Sequence, residues 1–204
     1  MATINLLEIE KSLPNEIAQL CKDFESINKS MMNEKMYRFL AASIMSAEIN
    51  DPDYLLEIGT FRGLTAVFIA KLLNHMNKNN KVVSIDPFQR LENGRITGNH
   101  NSYMNNIINH EVQDQCIVIS AFSQQIAPII PGNIPFILID GGHSYEDVMS
   151  DFQQYLYKLK IGGIALIDDP KYAGVAQAIN EYIRNNNSFE ILTDGSCFVV
   201  KRLY

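Results

Sequence analysis

Four side chains at the ends of two apolar runs carry the most chemistry. Asp140 and His143 lie in PFILIDGGHSYEDV, and Asp168 and Asp169 lie in GGIALIDDP. Three carboxylates brought to one edge of a sheet offer the hard oxygen donors that a divalent cation such as Mg²⁺ takes. Unpaired carboxylates so close repel one another and raise their own pKa values, a cost that a cation removes. His143, three residues past Asp140, is placed to act as a base toward a hydroxyl held on the metal. Packing against a cofactor is the other role open to it. For Asp168 or Asp169 the other role is to cap the turn before Pro170.

A second constellation lies upstream, in YLLEIGTFRGLTAVFIA from Tyr54 to Ala70. An apolar run, Glu57, a tight glycine turn and an apolar helical pattern read as the first strand, cofactor loop and first helix of a nucleotide-binding α/β domain. Gly59 and Gly63 remove side chains where the backbone must turn and let a ligand approach. The loop GTFRG lacks the GxGxxG fingerprint, and Phe61 stands where a second close glycine is expected, so a pyrophosphate fits poorly. Further on, KVVSI ends in Asp86, where an acidic side chain in this architecture accepts hydrogen bonds from a ribose. A turn cap before Pro87 is the alternative, and the pairing with the glycine loop decides for the ribose. His75, His100 and His110 have no such neighbours and read as structural or surface residues.

The elements that must position these residues alternate along the chain. Residues 14–28 and 31–49 read as two helices with no chemical motif; their methionines Met31, Met32, Met36 and Met45 could edge a cofactor pocket, but methionines at such spacing are more often core filler, and that is the reading taken. There follow strand 54–58, helix 63–76, strand 81–85, a long polar stretch, helix 103–110, strand 116–120 and a helix around 123–129. Strand 135–139, helix 145–159, a Gly162-Gly163 turn, strand 164–167 and helix 173–186 complete the alternation. Such a pattern demands a parallel sheet with helices on both faces. FEILT, an Asp194-Gly195 turn and CFVVKRL then read as a β-hairpin. The expected fold is therefore Rossmann-like and doubly wound, a mostly parallel seven-stranded sheet with an antiparallel C-terminal hairpin strand. Residues 1–50 are expected to be helices belonging to the same single domain as 51–204.

Composition narrows the function. The 204 residues carry 47% hydrophobic content, enough for one domain with a full core. Net charge is −6, from 17 Lys and Arg against 23 Asp and Glu, which disfavours a nucleic-acid partner. Cys21, Cys116 and Cys197 are scattered, odd in number and without CxxC spacing, as expected of reduced, buried thiols in a cytoplasmic protein. The acidic start without a long apolar segment reads as neither signal peptide nor membrane span.

Taken together these segments resemble the class I S-adenosylmethionine-dependent methyltransferases. Within them they are similar to the small-molecule O-methyltransferases of the catechol and caffeoyl-CoA type and to the macrolide-sugar O-methyltransferase and cephalosporin hydroxylase group. The likeness covers about residues 30–204. EIGTFRG resembles the first motif in its ExGxxxG form, which implies that Glu57, Gly59, Thr60, Phe61, Gly63 and Thr65 surround the methionine part of the cofactor. SIDPF resembles the acidic-loop motif, making Asp86 the ribose ligand and Pro87 and Phe88 neighbours of the adenine. AFSQ is similar to the adenine-contacting segment and implies Ser123 and Gln124, with Phe122 departing from the acidic residue of many relatives. IDGGHSYE matches the DGxHxYE of the macrolide-sugar and cephalosporin group. The resemblance implies Mg²⁺ on Asp140, Asp168 and Asp169, and His143 where catechol-type enzymes place a lysine base.

The expectation is metal-assisted O-methylation of a hydroxyl on a sugar, polyketide or catechol-like small molecule. The alternatives are a non-catalytic S-adenosylmethionine-binding scaffold, a hydroxylation-associated role, and a nicotinamide-dependent oxidoreductase. The last lacks a TyrxxxLys pair in this chain. The stretch FQRLENGRITGNHNSYMNN is expected to form a mobile lid over the acceptor. The N-terminal helices offer a surface for a homodimer.

Overall fold

The computed structural model describes residues 5–27, 32–89, 94 and 96–204. Seven strands form one sheet: β1 (Tyr54–Ile58), β2 (Lys81–Ile85), β3 (Cys116–Ile119), β4 (Ile134–Ile139), β5 (Leu159–Ile167), β6 (Phe189–Asp194) and β7 (Phe198–Arg202). Their spatial order is β3-β2-β1-β4-β5-β7-β6. The first five run parallel, and β7 pairs antiparallel with both β5 and β6. β4, at the centre, is IPFILI and is buried at every position, as a strand covered on both faces must be. β3 and β6, at the two edges, each bury only their first residue.

Helices cover both faces. α1 (Leu6–Lys11), α2 (Asn15–Ser26), α3 (Glu34–Ser46), α4 (Leu64–His75) and α5 (His100–Asn109) share one core with Leu55, Phe136, Leu138, Ile164, Leu166 and Val199. α6 (Ser123–Ile126), α7 (Tyr145–Tyr155) and α8 (Ala173–Ala178) pack on the other face, with Leu56, Ile58, Ile137, Ile139, Ala165, Ile167 and Val200. Successive strand residues thus divide between the two cores with the two-residue period of a pleated strand.

The sheet register decides where the site forms. Ile58 pairs with Ile85 on one side and Ile139 on the other, and Ile139 pairs with Ile167. The next residue of each strand, Gly59, Asp86, Asp140 and Asp168, therefore emerges level at one rim. Backbone bonds hold it there: Gly59 N–H donates to the Ile85 carbonyl (2.9 Å), Asp140 N–H to Ile58 (2.8 Å) and Asp168 N–H to Ile139 (3.0 Å). Strand order also reverses between β1 and β4, the point where open α/β sheets leave a crevice.

Several expected boundaries shift. α1 was not expected; it is one short turn and a half, capped by the Asn5 side chain, which accepts from Glu8 N–H at 3.3 Å. Gly162 and Gly163 form no turn between elements but lie inside β5, beside a register shift against β4. Gly162 takes a left-handed φ of +81°, and a Cβ on Gly163 would meet the Ile134 and Lys160 carbonyls at 2.9 Å. The pair therefore lets the strand bulge instead of ending it. The expected helix 145–159 stops at Tyr155 and continues as a tighter turn over Leu156–Lys158. The helix from Ala173 widens to a π-helical turn over Ile179–Ile183. Met31 and part of the expected lid, residues 90–93 and 95, lie outside the described residues.

Candidate active site

The rim surrounds a cavity of about 570 Å³, lined on one side by the glycine loop and on the other by the turns after β4 and β5. Gly59 is the tightest point between them. Its φ is +83°, and a Cβ there would fall onto the Asp140 carbonyl group, 2.6 Å from the carbon, and 2.9 Å from Gly141 Cα. Gly63, also left-handed at +79°, makes room for the Tyr103 ring, which would lie 2.5 Å from a Cβ. Between them Phe61 holds a φ of +52° with a full side chain, a conformation that costs about 1 kcal/mol or more.

Asp86 explains how the loop stays in that shape. Its Oδ2 accepts from Thr60 N–H (3.1 Å) and Phe61 N–H (3.0 Å), and Oδ1 accepts from Phe88 N–H (2.8 Å). The residue is 2% exposed, yet it lines the cavity. A carboxylate has about four acceptor positions, so three brace the backbone and one on Oδ1 is left for a ligand hydroxyl. Gly98 closes over it, with both carboxylate oxygens within 2.9 Å of where its Cβ would stand.

Glu57 lies beneath the loop and is not among the cavity-lining residues. Ser84 Oγ donates to its Oε2 at 2.6 Å. Burial pushes its carboxyl up to about 8, opposed by Ser84 and Thr60. Oε1 and Thr60 Oγ1 are both buried without a hydrogen bond of good geometry. Gly63 and Phe88 also stand behind the lining, whereas Gly59, Thr60, Phe61, Thr65, Asp86, Pro87, Ser123, Gln124, Asp140, His143, Asp168 and Asp169 all reach it.

The acidic rim gathers around His143. Its Nε2 is 3.5 Å from Asp169 Oδ2 and 4.0 Å from Asp140 Oδ1, and its ring stacks on Tyr172 with centroids 4.7 Å apart. Asp169 has a left-handed φ of +52°, and its N–H donates to Asp168 Oδ1 at 2.9 Å. Burial pushes the Asp168 carboxyl up to about 7, and the Asp140 charge pushes in the same direction. The donor set thus suits a cation, which would relieve Asp168 of the charge beside it. Among the described residues, however, no group of three or more His, Cys, Asp or Glu side chains is arranged as a finished metal site. Among the described lining residues, Asp86, Asp140, Asp147, Asp151, Asp168 and Asp169 face one arginine, Arg62, whose guanidinium stacks on Phe61 at 4.8 Å.

The structure adds residues that the motifs did not announce. Met32, just before α3, Tyr37, from α3, and Ile96 and Thr97, from the segment before α5, also line the cavity. Met32 is one of the methionines that could edge a cofactor pocket, and it both borders this cavity and packs in the core; nothing in the local sequence of the other three marks them, because they arrive by packing. Asp151 did carry a signal. It falls in the apolar stripe Val148, Phe152, Tyr155 of α7, where a carboxylate is out of place, and it is 2% exposed. Cys21, Cys116 and Cys197 are free and buried, with no place in the cavity. No helix among the described residues is long and apolar enough to cross a membrane.

Comparisons with known proteins point the same way. Residues 56–170 match the family model described as Methyltransferase domain. A curated relative, uncharacterized protein R132 of Acanthamoeba polyphaga mimivirus, is 29% identical over 128 residues, 60% of this chain, and the match spans about half (53%) of that relative's length. The O-methyltransferase NovP superposes with a TM-score of 0.73 at 18% identity, covering 94% of this chain and 89% of its own. An O-methyltransferase from Bacillus cereus in complex with SAH gives 0.62 at 17% identity, covering 97% and 96%. CalS11, a TDP-rhamnose 3'-O-methyltransferase of calicheamicin biosynthesis, gives 0.61 at 15% identity, covering 96% and 91%.

Proposed function

The chain belongs to the Methyltransferase domain family, and from that premise we propose that it transfers the methyl group of S-adenosylmethionine to a hydroxyl of a small molecule. One observation carries the reading: the register of four parallel strands brings Gly59, Asp86, Asp140 and Asp168 level around one cavity. Gly59, Thr60, Phe61 and Thr65 would hold the cofactor's methionine part, the remaining acceptor position of Asp86 its ribose, and Pro87 and Ser123 its adenine. The aspartate excess of the lining suits the positive sulfonium.

His143 is the base of the reaction. It takes the acceptor's hydroxyl proton while the oxygen forms its bond to the methyl carbon and the carbon–sulfur bond breaks, leaving S-adenosylhomocysteine. Asp169 and Asp140, within 4.0 Å of Nε2, stabilise the imidazolium that results. Asp140, Asp168 and Asp169 are the residues that would hold a divalent cation. Such a cation, when bound, lowers the pKa of an acceptor hydroxyl. A sugar hydroxyl is the first acceptor to screen, since CalS11 is a TDP-rhamnose 3'-O-methyltransferase.

Titration with S-adenosylmethionine, followed by turnover against a panel of sugar, catechol and polyketide hydroxyls, tests the proposal. Asp168→Asn is expected to lower turnover by about 100-fold while cofactor affinity stays within about threefold. Turnover unchanged by EDTA and by Asp168→Asn sinks the cation; absence of S-adenosylmethionine binding sinks the cofactor.

A further inference from the structure

Ser123 stands on the cavity wall at the first turn of α6 and is held by two residues of α7, of which Asp151 also borders the cavity. Its hydroxyl donates to Asp151 Oδ1 at 2.5 Å, and its carbonyl accepts from the Tyr155 hydroxyl at 2.7 Å. Asp151 and Tyr155 lie one helical turn apart and so share a face of α7. All three residues are buried, Asp151 to 2% exposure and Tyr155 completely.

A serine hydroxyl has one hydrogen and two lone pairs. With its hydrogen directed at Asp151, Ser123 Oγ has lone pairs alone left to offer a ligand. Such a group pairs with an amine and repels a carbonyl oxygen. The neighbouring Phe122 side chain has no polar atom with which to make this distinction, and the Gln124 amide can turn to present either its oxygen or its nitrogen, so Ser123, held in one direction, decides it. Resting on the reading of the cavity as an S-adenosylmethionine site with the base beside Ser123, we infer that Asp151 is a positioning residue. It fixes the Ser123 hydroxyl as an acceptor, so that the site takes adenine, with its exocyclic amine, and rejects hypoxanthine, with a carbonyl in that place. Tyr155 holds the Ser123 backbone, which leaves the hydroxyl torsion as the freedom that Asp151 removes.

The position of Asp151 supports a role beyond packing. Burial, reinforced by the Asp147 charge, pushes its carboxyl up to about 7, so the residue is an uncomfortable occupant of an apolar stripe. An apolar side chain would serve the fold of α7 better.

The test compares the affinity of the whole chain for S-adenosylhomocysteine and for S-inosylhomocysteine by isothermal titration. The buffer is held well above the pH of about 7 at which Asp151 loses its proton. The unmodified chain is expected to prefer the adenine ligand by about 100-fold or more, as sites do that lose a hydrogen bond to a mismatched polar group. Asp151→Asn can present its amide N–H to Ser123 and turn the hydroxyl around, and the preference is expected to fall about tenfold. Ser123→Ala is expected to lower it equally, with no further fall in the double variant. Tyr155→Phe is expected to weaken both ligands alike. Equal weakening of both ligands in Asp151→Asn, at an unchanged preference, overturns the inference, and so does an unchanged preference in Ser123→Ala should the Asp151 variant fail to fold. Failure of the unmodified chain to bind either ligand overturns the cofactor reading itself.

Discussion

Replacing Gly59 with alanine tests the claim that the glycine loop and the β4 turn are built as one unit. Two costs arise, and the structure separates them. The first is conformational: an L-residue at φ +83° costs about 1–2 kcal/mol. Gly162 has almost the same φ, +81°, but its Cβ would meet nothing nearer than Lys201 Cε at 4.0 Å. Gly162→Ala therefore reports the conformational cost alone, expected to lower the melting temperature by about 2–8 °C for a chain of this size. The second cost belongs to Gly59. Its Cβ would overlap the Asp140 carbonyl oxygen and stand 2.6 Å from the carbonyl carbon, against roughly 3.4 Å for ordinary contact, so the two turns must part by at least about 0.8 Å. That opening strains the Asp140 N–H bond to the Ile58 carbonyl, now 2.8 Å, and displaces the carboxylate beyond it. Misplacement of about 1 Å within a site costs on the order of 100-fold in rate. Thermal unfolding and S-adenosylmethionine titration, run in parallel on both variants, give the comparison. Gly59→Ala is expected to melt well below Gly162→Ala and to bind cofactor at least about tenfold more weakly than it. Equal melting temperatures and equal affinities would refute the coupling of the two turns.

Two further outcomes follow from the same geometry. Glu57 is held at about 8 in the native chain against 4.5 when free, so between those values the unfolded chain gives up a proton that the native one keeps. Stability should fall as pH rises through that window and level off above it, and Glu57→Gln should flatten the curve and be more stable above about pH 8 by a few kcal/mol; urea unfolding of both chains across the window checks this, and parallel curves would contradict it. Gly174→Ala places a Cβ 2.5 Å from the His143 carbonyl and 2.6 Å from Tyr145 N, so turnover should drop by about 100-fold while cofactor affinity, measured by titration, stays within about threefold.

What the sequence disclosed and what it withheld divide along a physical line. β1 and β2 match their expected bounds because each is a short apolar run stopped by a glycine or an Asp-Pro step. Gly162-Gly163 misled for the converse reason: two adjacent glycines have the chemistry of a turn, and it is the pairing of Leu159 and Ile164 with β4, on either side of them, that carries the strand through. Residues at strand ends were legible as a site because register alone gathers them. Tyr37 and Ile96 were not, since helix packing and the segment before α5 bring them in from elsewhere, and Met32 was open to either of two readings, pocket edge or core filler, and serves as both. Asp151 lay between these cases, visible as a carboxylate in an apolar phase but without a stated purpose until Ser123 stood beside it.

The strained residues show why the carboxylates are hard to assign to one task. Phe61, Phe88 and Asp169 all hold left-handed backbone around the cavity, and each has its N–H bound by a strand-end aspartate. Asp86 takes Phe61 and Phe88; Asp168 takes Asp169. Strain of about 1–3 kcal/mol per residue persists only where the surroundings fix it, and here the fixing groups are the side chains proposed to meet ribose and cation. An alanine at either aspartate would remove the ligand group and release the loop together, so a loss of activity would not tell the two apart. Asparagine keeps an acceptor for the backbone N–H and removes the charge. Asp168→Asn therefore isolates the electrostatic role, and a collapse of cofactor binding in that variant would show that the charge itself, and not the hydrogen bond, holds the rim together.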